Sequence, residues 1–152
     1  MDLCSLIDKR LIAFNFDGKD KEDIIKRIAE LMFNSDKITD KAKYVEGVFK
    51  RESECSTGIG MGVAIPHCRS EVVTEPCFSL VKLKNEVEWD SFDGKLVSYV
   101  IMLAAPIDAN SEFLKLLSSL SYNLMDDDFR ESLINASTIE EIELLFKEKG
   151  EN

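Results

Sequence analysis

The stretch RESECSTGIGMGVAIPHC, Arg51 to Cys68, joins a charged helical end to a glycine-rich loop and an apolar run that stops at the only histidine of the chain, His67. Proline fixes its own φ near about −65° and drives the preceding residue into extended conformation, so Pro66 makes His67 leave the run at a set angle. Gly58, Gly60 and Gly62 alternate through the loop. Glycine permits φ > 0, and this spacing lets successive N–H groups converge on one concavity able to hold an anion. An imidazole with an ordinary pKa is largely neutral near pH 7 and keeps a lone pair able to attack phosphorus. A planar guanidinium can place two hydrogen bonds on phosphoryl oxygens. His67 is therefore the candidate nucleophile and Arg51 the candidate phosphate ligand. Ser56, Thr57, Gly58, Gly60 and Gly62 are further phosphate-binding candidates. Taken separately the pieces stay ambiguous: a lone histidine at a strand end is more often structural, the glycine spacing is not that of a nucleotide loop, and a helix-end arginine commonly complements the helix dipole.

Outward from this stretch the hydrophobic periodicity alternates between helix and strand. Upstream, DKAKYVEGVFKRESE spaces Ala42, Val45, Val48 and Phe49 as one helical stripe, with Thr39 as the expected N-cap. Before it, KEDIIKRIAELMFN repeats Ile24, Ile25, Ile28, Leu31 and Met32 on one face, and RLIAFNF reads as a short strand stopped by Asp17-Gly18. MGVAIP, CFSLVKLK and KLVSYVIMLAAP are rich in β-branched and aromatic residues and read as strands, the last buried on both faces, with a turn at Asp93-Gly94. After Pro106 the pattern is helical in SEFLKLLSSLSYNLM, DDFRESLINA and TIEEIELLFKEK, the last opened by Thr138 and Glu141 in capping spacing. Strands in the middle with helices at both ends predict an α/β or α+β sandwich.

The chain has 152 residues, 45% of them hydrophobic, enough for one continuous core, and no linker or repeat divides it, so residues 1–152 are expected to form a single domain. Neither a signal peptide nor a run of about 18 apolar residues is present, which argues for a cytoplasmic protein without membrane insertion. Cys4, Cys55, Cys68 and Cys77 form no CxxC pair, so no structural metal or redox motif is expected. With 29 acidic against 19 basic residues and a net charge of −10, nucleic acid is a poor partner.

Read as a unit, Arg51 to Cys68 resemble the signature of the type-2 EIIA domains of the bacterial phosphoenolpyruvate-dependent sugar phosphotransferase system (PTS), the fructose and mannitol superfamily. The match includes the Arg51-Glu52 pair, the run Ser56 to Gly60, and Ala64-Ile65-Pro66-His67; a weaker similarity continues through VEWDSFDGKLVSYVIMLAAP into the next helix. The resemblance implies a compact α/β sandwich with a five-stranded mixed sheet flanked by helices. It implies a phosphotransferase without cofactor or metal: the phosphocarrier HPr phosphorylates His67, Nε2 being the nitrogen the family suggests, Arg51 assists phosphate binding, and the group passes to a cysteine of a IIB component. That component is expected on a separate chain, since no IIB sequence follows before Asn152. Many fructose, mannitol and nitrogen-regulatory members carry a second histidine where this chain has Phe113, which leaves Lys115 or Asn110 as nearby donors. Galactitol-type members also lack that histidine. The apolar residues Ile59, Met61, Val63 and Phe113 are candidates for the rim or near-core around His67. Two other readings compete. One is a regulatory domain of the same fold whose phosphorylation state controls a protein partner. The other is a cysteine hydrolase using Cys68 or Cys55 with His67, disfavoured because neighbours on an extended chain point to opposite faces.

Overall fold

In the computed structural model, which describes residues 3–150, two helical layers enclose one mixed sheet. The strand β1 (Ile12–Phe16) is followed by α1 (Lys21–Asn34) and α2 (Lys41–Glu54). Then come β2 (Gly58–Gly60), β3 (Val63–Ala64), β4 (His67–Arg69), β5 (Cys77–Val87) and β6 (Val97–Ala105), and finally α3 (Asn110–Leu124), α4 (Asp127–Asn135) and α5 (Ile139–Gly150).

The helices begin where side chains can satisfy their first amides. Asp20 accepts the Asp23 N–H and starts α1, which buries Ile24, Ile25, Ile28, Ala29 and Met32. For α2 the cap is Asp40, which accepts the Lys43 N–H, rather than the expected Thr39. Thr39 is already spent: its N–H and its hydroxyl both go to the Val72 carbonyl, at 2.8 and 3.3 Å. One position of the α2 stripe also differs, because Ala42 is exposed and Tyr44 is fully buried in its place. At the last helix Thr138 accepts the Glu141 N–H as expected, while Glu141 reaches back to Ser137 instead of Thr138.

The sheet runs β1-β5-β6-β3-β2, with β4 also on β6. Pairing is parallel for β1–β5, β3–β6 and β4–β6 and antiparallel for β5–β6 and β2–β3. Six strands stand where five were expected, and the register explains the difference. Val63 pairs with Tyr99, Ala64 with Val100 and His67 with Leu103, so β3 and β4 follow one register on β6 and are separated only by Ile65-Pro66. The Leu103 N–H still reaches the Pro66 carbonyl at 3.0 Å. The run read as one strand, MGVAIP, starts instead as a hairpin turn: Met61 (φ 57°) and Gly62 (φ 81°) are both left-handed, the pattern of a two-residue turn between β2 and β3.

Residues of β6 feed two cores. Val100, Met102 and Ala104 join Ile24, Ile28, Tyr44 and Val48 beneath α1 and α2. Tyr99, Ile101, Leu103 and Ala105 join Phe113, Leu116, Phe129 and Phe146 beneath α3, α4 and α5. Seven consecutive residues of β6, Tyr99 to Ala105, are completely buried, as a central strand covered on both faces requires. Each large aliphatic side chain so removed from water contributes about 1.5–3 kcal/mol before entropy is charged against it. From α2 the Tyr44 hydroxyl crosses to the Leu103 carbonyl at 2.8 Å, so this helix is bonded to the β6 residue that lies opposite His67.

Candidate active site

The last turn of α2 carries Arg51 and Glu52, and different partners hold them. Glu52 is nearly buried: it accepts the hydroxyl and, at 3.3 Å, the N–H of Thr57, and pairs with Lys21 at 2.8 Å. Trp89 donates its indole N–H to the Thr57 hydroxyl at 3.2 Å and accepts the Ser56 hydroxyl on its carbonyl at 2.7 Å. The start of α1, the end of α2 and the entry to β2 are thereby tied into one polar knot, in which each buried group has a partner.

That knot fixes the segment on which Arg51 rests. The Arg51 Nη1–H donates to the Cys55 carbonyl at 2.8 Å, and the Nε–H donates to His67 Nε2 at 3.2 Å. On its other side the imidazole bonds through Nδ1 to the Ile65 carbonyl at 2.8 Å. A carbonyl can only accept and the Arg51 Nε–H can only donate, so Nδ1 bears the proton and Nε2 the lone pair. With Nη1 anchored, the Nε–H and Nη2–H edge of the guanidinium faces the imidazole, the fork geometry that fits two oxygens of a phosphoryl group. Burial is the main cause that lowers the His67 pKa below 6.5. The Arg51 charge adds to it, while the Ile65 carbonyl and Glu52 oppose it. The ring is accordingly kept neutral and nucleophilic at neutral pH.

His67 rests against Phe113 of α3, ring centroids 5.7 Å apart and planes at 48°. Phe113 is 6% exposed and faces the sheet with Leu116, Leu120 and Leu124. Lys115, two positions on, stands about 200° around the helix and is exposed, turned from the imidazole. The side chain of Asn110 lies outside the described residues. The cation that does reach Phe113 is Arg69, its Cζ 5.8 Å from the ring centroid. Sequence reasoning missed it, although two-residue parity along β4 places it on the face of His67.

The other candidates are placed differently. The Ser56 and Thr57 hydroxyls are engaged with Trp89 and Glu52, and the Gly58 N–H meets the Ser56 hydroxyl at 3.1 Å. Gly58 must lack a side chain, since a Cβ there would lie 2.5 Å from the Ser91 hydroxyl. Gly60 and Gly62 sit at the hairpin tip, where Asp93 accepts the Met61 N–H at 2.9 Å and Gly62 accepts the N–H groups of Ser98 and Tyr99 at 2.8 and 3.1 Å. Val63 and His67 lie opposite Tyr99 and Leu103, about 13 Å apart along β6 at ~3.3 Å per residue. The structure thus brings Arg51 to His67 and docks the hairpin tip on the β5–β6 connection. Of the apolar residues named for the rim, Ile59 and Met61 are exposed and Val63 and Phe113 are buried.

Cys68 points to the opposite face from His67. A Cβ built on Gly47 of α2 would lie 2.4 Å from its sulfur, and burial raises its pKa, so it is a small core residue and no thiolate beside the imidazole. The Cys55 side chain is exposed, and it is the Cys55 carbonyl that Arg51 addresses. Among the described residues no cluster of three or more histidine, cysteine or acidic side chains is arranged to hold a metal, and no helix is long and apolar enough to cross a membrane.

An α/β sandwich that presents a neutral imidazole and a guanidinium at a strand end defines a domain suited to phosphoryl transfer. Residues 5–149 match the family model of the phosphoenolpyruvate-dependent sugar phosphotransferase system, EIIA 2, and the chain belongs to that family. It is 36% identical over 138 residues to the fructose-specific EIIABC component of Bacillus subtilis, covering 91% of this chain but 22% of that protein. It is 27% identical to the fructose-specific EIIA component of Haloferax volcanii, covering 90% of this chain and 89% of the relative. The crystal structure of nitrogen regulatory protein IIA-Ntr from Neisseria meningitidis superposes with a TM-score of 0.86 at 29% identity, covering 94% of this chain and 97% of that one.

Proposed function

We propose that the protein is a sugar-PTS phosphocarrier that accepts a phosphoryl group from phospho-HPr on His67 and passes it to a cysteine of a IIB component, in the cytoplasm. The observation that carries this reading is the paired hydrogen bonding of the imidazole: Nδ1–H on the Ile65 carbonyl and Nε2 facing Arg51. The Nε2 lone pair attacks phosphorus, forming an N–P bond as the N–P bond of the donor breaks and its electron pair returns to the donor imidazole. Arg51 exchanges its bond to Nε2 for the phosphoryl oxygens, where charge spreads in a loose transition state. A thiolate of IIB then attacks the same phosphorus, and the electron pair of the breaking N–P bond restores Nε2. Ser56, Thr57 and the glycine loop support the site by fixing the segment between Arg51 and β3. The fructose-specific relatives favour a fructose-type sugar system.

Incubation with phosphoenolpyruvate, enzyme I and HPr is expected to give one acid-labile phosphate per chain, absent in His67→Gln. An unlabelled wild-type protein refutes the reading. The likeness to a nitrogen regulatory protein favours a second reading, in which the phosphorylation state controls a protein partner. Transfer of the label to a fructose-type IIB supports the carrier; a phosphoprotein that transfers to no IIB but binds a regulator supports control.

A further inference from the structure

The site contains a second guanidinium. His67 and Arg69 are alternate residues of β4, so their side chains leave the same face of the strand, their Cα atoms about 6.6 Å apart. Both touch one ring: the imidazole centroid is 5.7 Å and the Arg69 Cζ 5.8 Å from the centroid of Phe113. Phe113 is buried on α3 and cannot swing away, whereas Arg69 is exposed. Arg69 forms no ion pair among the described residues, and the acid two positions on, Glu71, is taken by Lys43. An unpaired guanidinium is thus parked on an aromatic face, across which the imidazole lies.

We propose that Arg69 is a second phosphate-binding residue, which leaves the face of Phe113 for the phosphoryl group once His67 carries it. The inference rests on the reading of His67 as the phosphorylated residue. A ring that holds a cation at an exposed position does so weakly, while a dianion offers the same guanidinium charge-assisted hydrogen bonds about twice as strong as neutral ones. Arg51 and Arg69 then approach the phosphate from α2 and from β4, and Phe113 serves as the shelf on which the second cation waits. No second imidazole is needed, and the chain has none.

The test is the equilibrium constant for phosphoryl exchange between HPr and this protein, measured by phosphorus NMR with the intact chain and its Arg69→Gln and Arg69→Lys variants. A residue that binds the phosphate of free phosphoprotein changes this constant; one that only docks the partner changes rates and leaves it alone. About a tenfold fall in Arg69→Gln, with Arg69→Lys closer to wild type and a displaced phosphorus resonance in Arg69→Gln, supports the proposal. An exchange constant within twofold of wild type in Arg69→Gln overturns it, even where phosphorylation is slowed. A wild-type chain that takes no phosphate from HPr overturns the reading of His67 itself.

Discussion

Replacing Arg51 with glutamine removes the charge and the fork, while lysine keeps the charge alone. In the structure one arm, Nη1, is anchored on the Cys55 carbonyl and the Nε–Nη2 edge faces Nε2 of His67, so two hydrogen bonds await phosphoryl oxygens without rearranging the arm. Each charge-assisted bond is worth about 1.5–3 kcal/mol. One bond, Nε–H to Nε2, is already made in the ground state and must be given up, which lowers the net gain. A loss of about 3–4 kcal/mol in transition-state stabilisation is expected for Arg51→Gln, or about 10²–10³-fold in rate at about 1.36 kcal/mol per factor of ten. Arg51→Lys keeps a point charge and one bond and should lose about 10–50-fold. The assay is rapid-quench phosphorylation by phospho-HPr, with circular dichroism to show that α2 is intact. Because the bonds strengthen in the transition state, the loss should appear in the maximal rate more than in the concentration of HPr giving half of it. An Arg51→Gln variant that accepts phosphate within threefold of wild type refutes the assigned role.

Two further outcomes follow from burial and packing. The folded protein holds His67 below its ordinary pKa, so the unfolded chain binds the proton more readily. Stability from this residue is complete above about pH 6.5 and declines as pH falls through that value toward the lower folded pKa. Urea melts at pH 7.5 and 5.5 should show wild type losing more stability than His67→Gln, and phosphate acceptance should hold from pH 8 through 6.5 and fall only as pH approaches the lowered folded pKa of the imidazole; equal losses of stability in the two proteins would falsify the linkage. Gly47→Ala brings a Cβ to 2.4 Å from the Cys68 sulfur and should destabilise by about 1–2 kcal/mol. In a Cys68→Ala background the same change should stabilise by about 0.5–1 kcal/mol, since only the gain in helix propensity remains. Additive melting free energies would show that sulfur and helix do not collide.

Features carried by neighbours in sequence were legible. The Arg51 to His67 spacing, the stripe of α1 and the doubly buried β6 all depend on residues close along the chain. Contacts between distant segments left no local signal. Nothing in the stretch around Met61 announces that Asp93 will take its amide, and nothing in Thr57 announces Glu52, Lys21 and Trp89 gathering around it. The hairpin was hidden for a different reason: its turn contains Met61, an apolar non-glycine at φ 57°, where pattern reading sees a strand continuing. Arg69 was visible in principle, but its significance depends on Phe113 arriving from α3.

The bond between His67 Nδ1 and the Ile65 carbonyl has a consequence for the sheet as well as for the ring. Among the described residues β2 pairs with β3, the Ile65 N–H still meets the Thr57 carbonyl at 3.0 Å, and β4 has β6 as its one strand neighbour, so from the Ile65 carbonyl onward the outer side of this strand has no strand beside it. Exposed edges invite a foreign strand, and natural sheets blunt them with side chains or cover. Here the imidazole closes the edge by taking a backbone acceptor that an incoming chain could use. His67→Ala would therefore remove the nitrogen proposed to carry the phosphoryl group and uncover that carbonyl together, whereas His67→Gln keeps an amide donor for the carbonyl and makes the cleaner control for the proposed transfer.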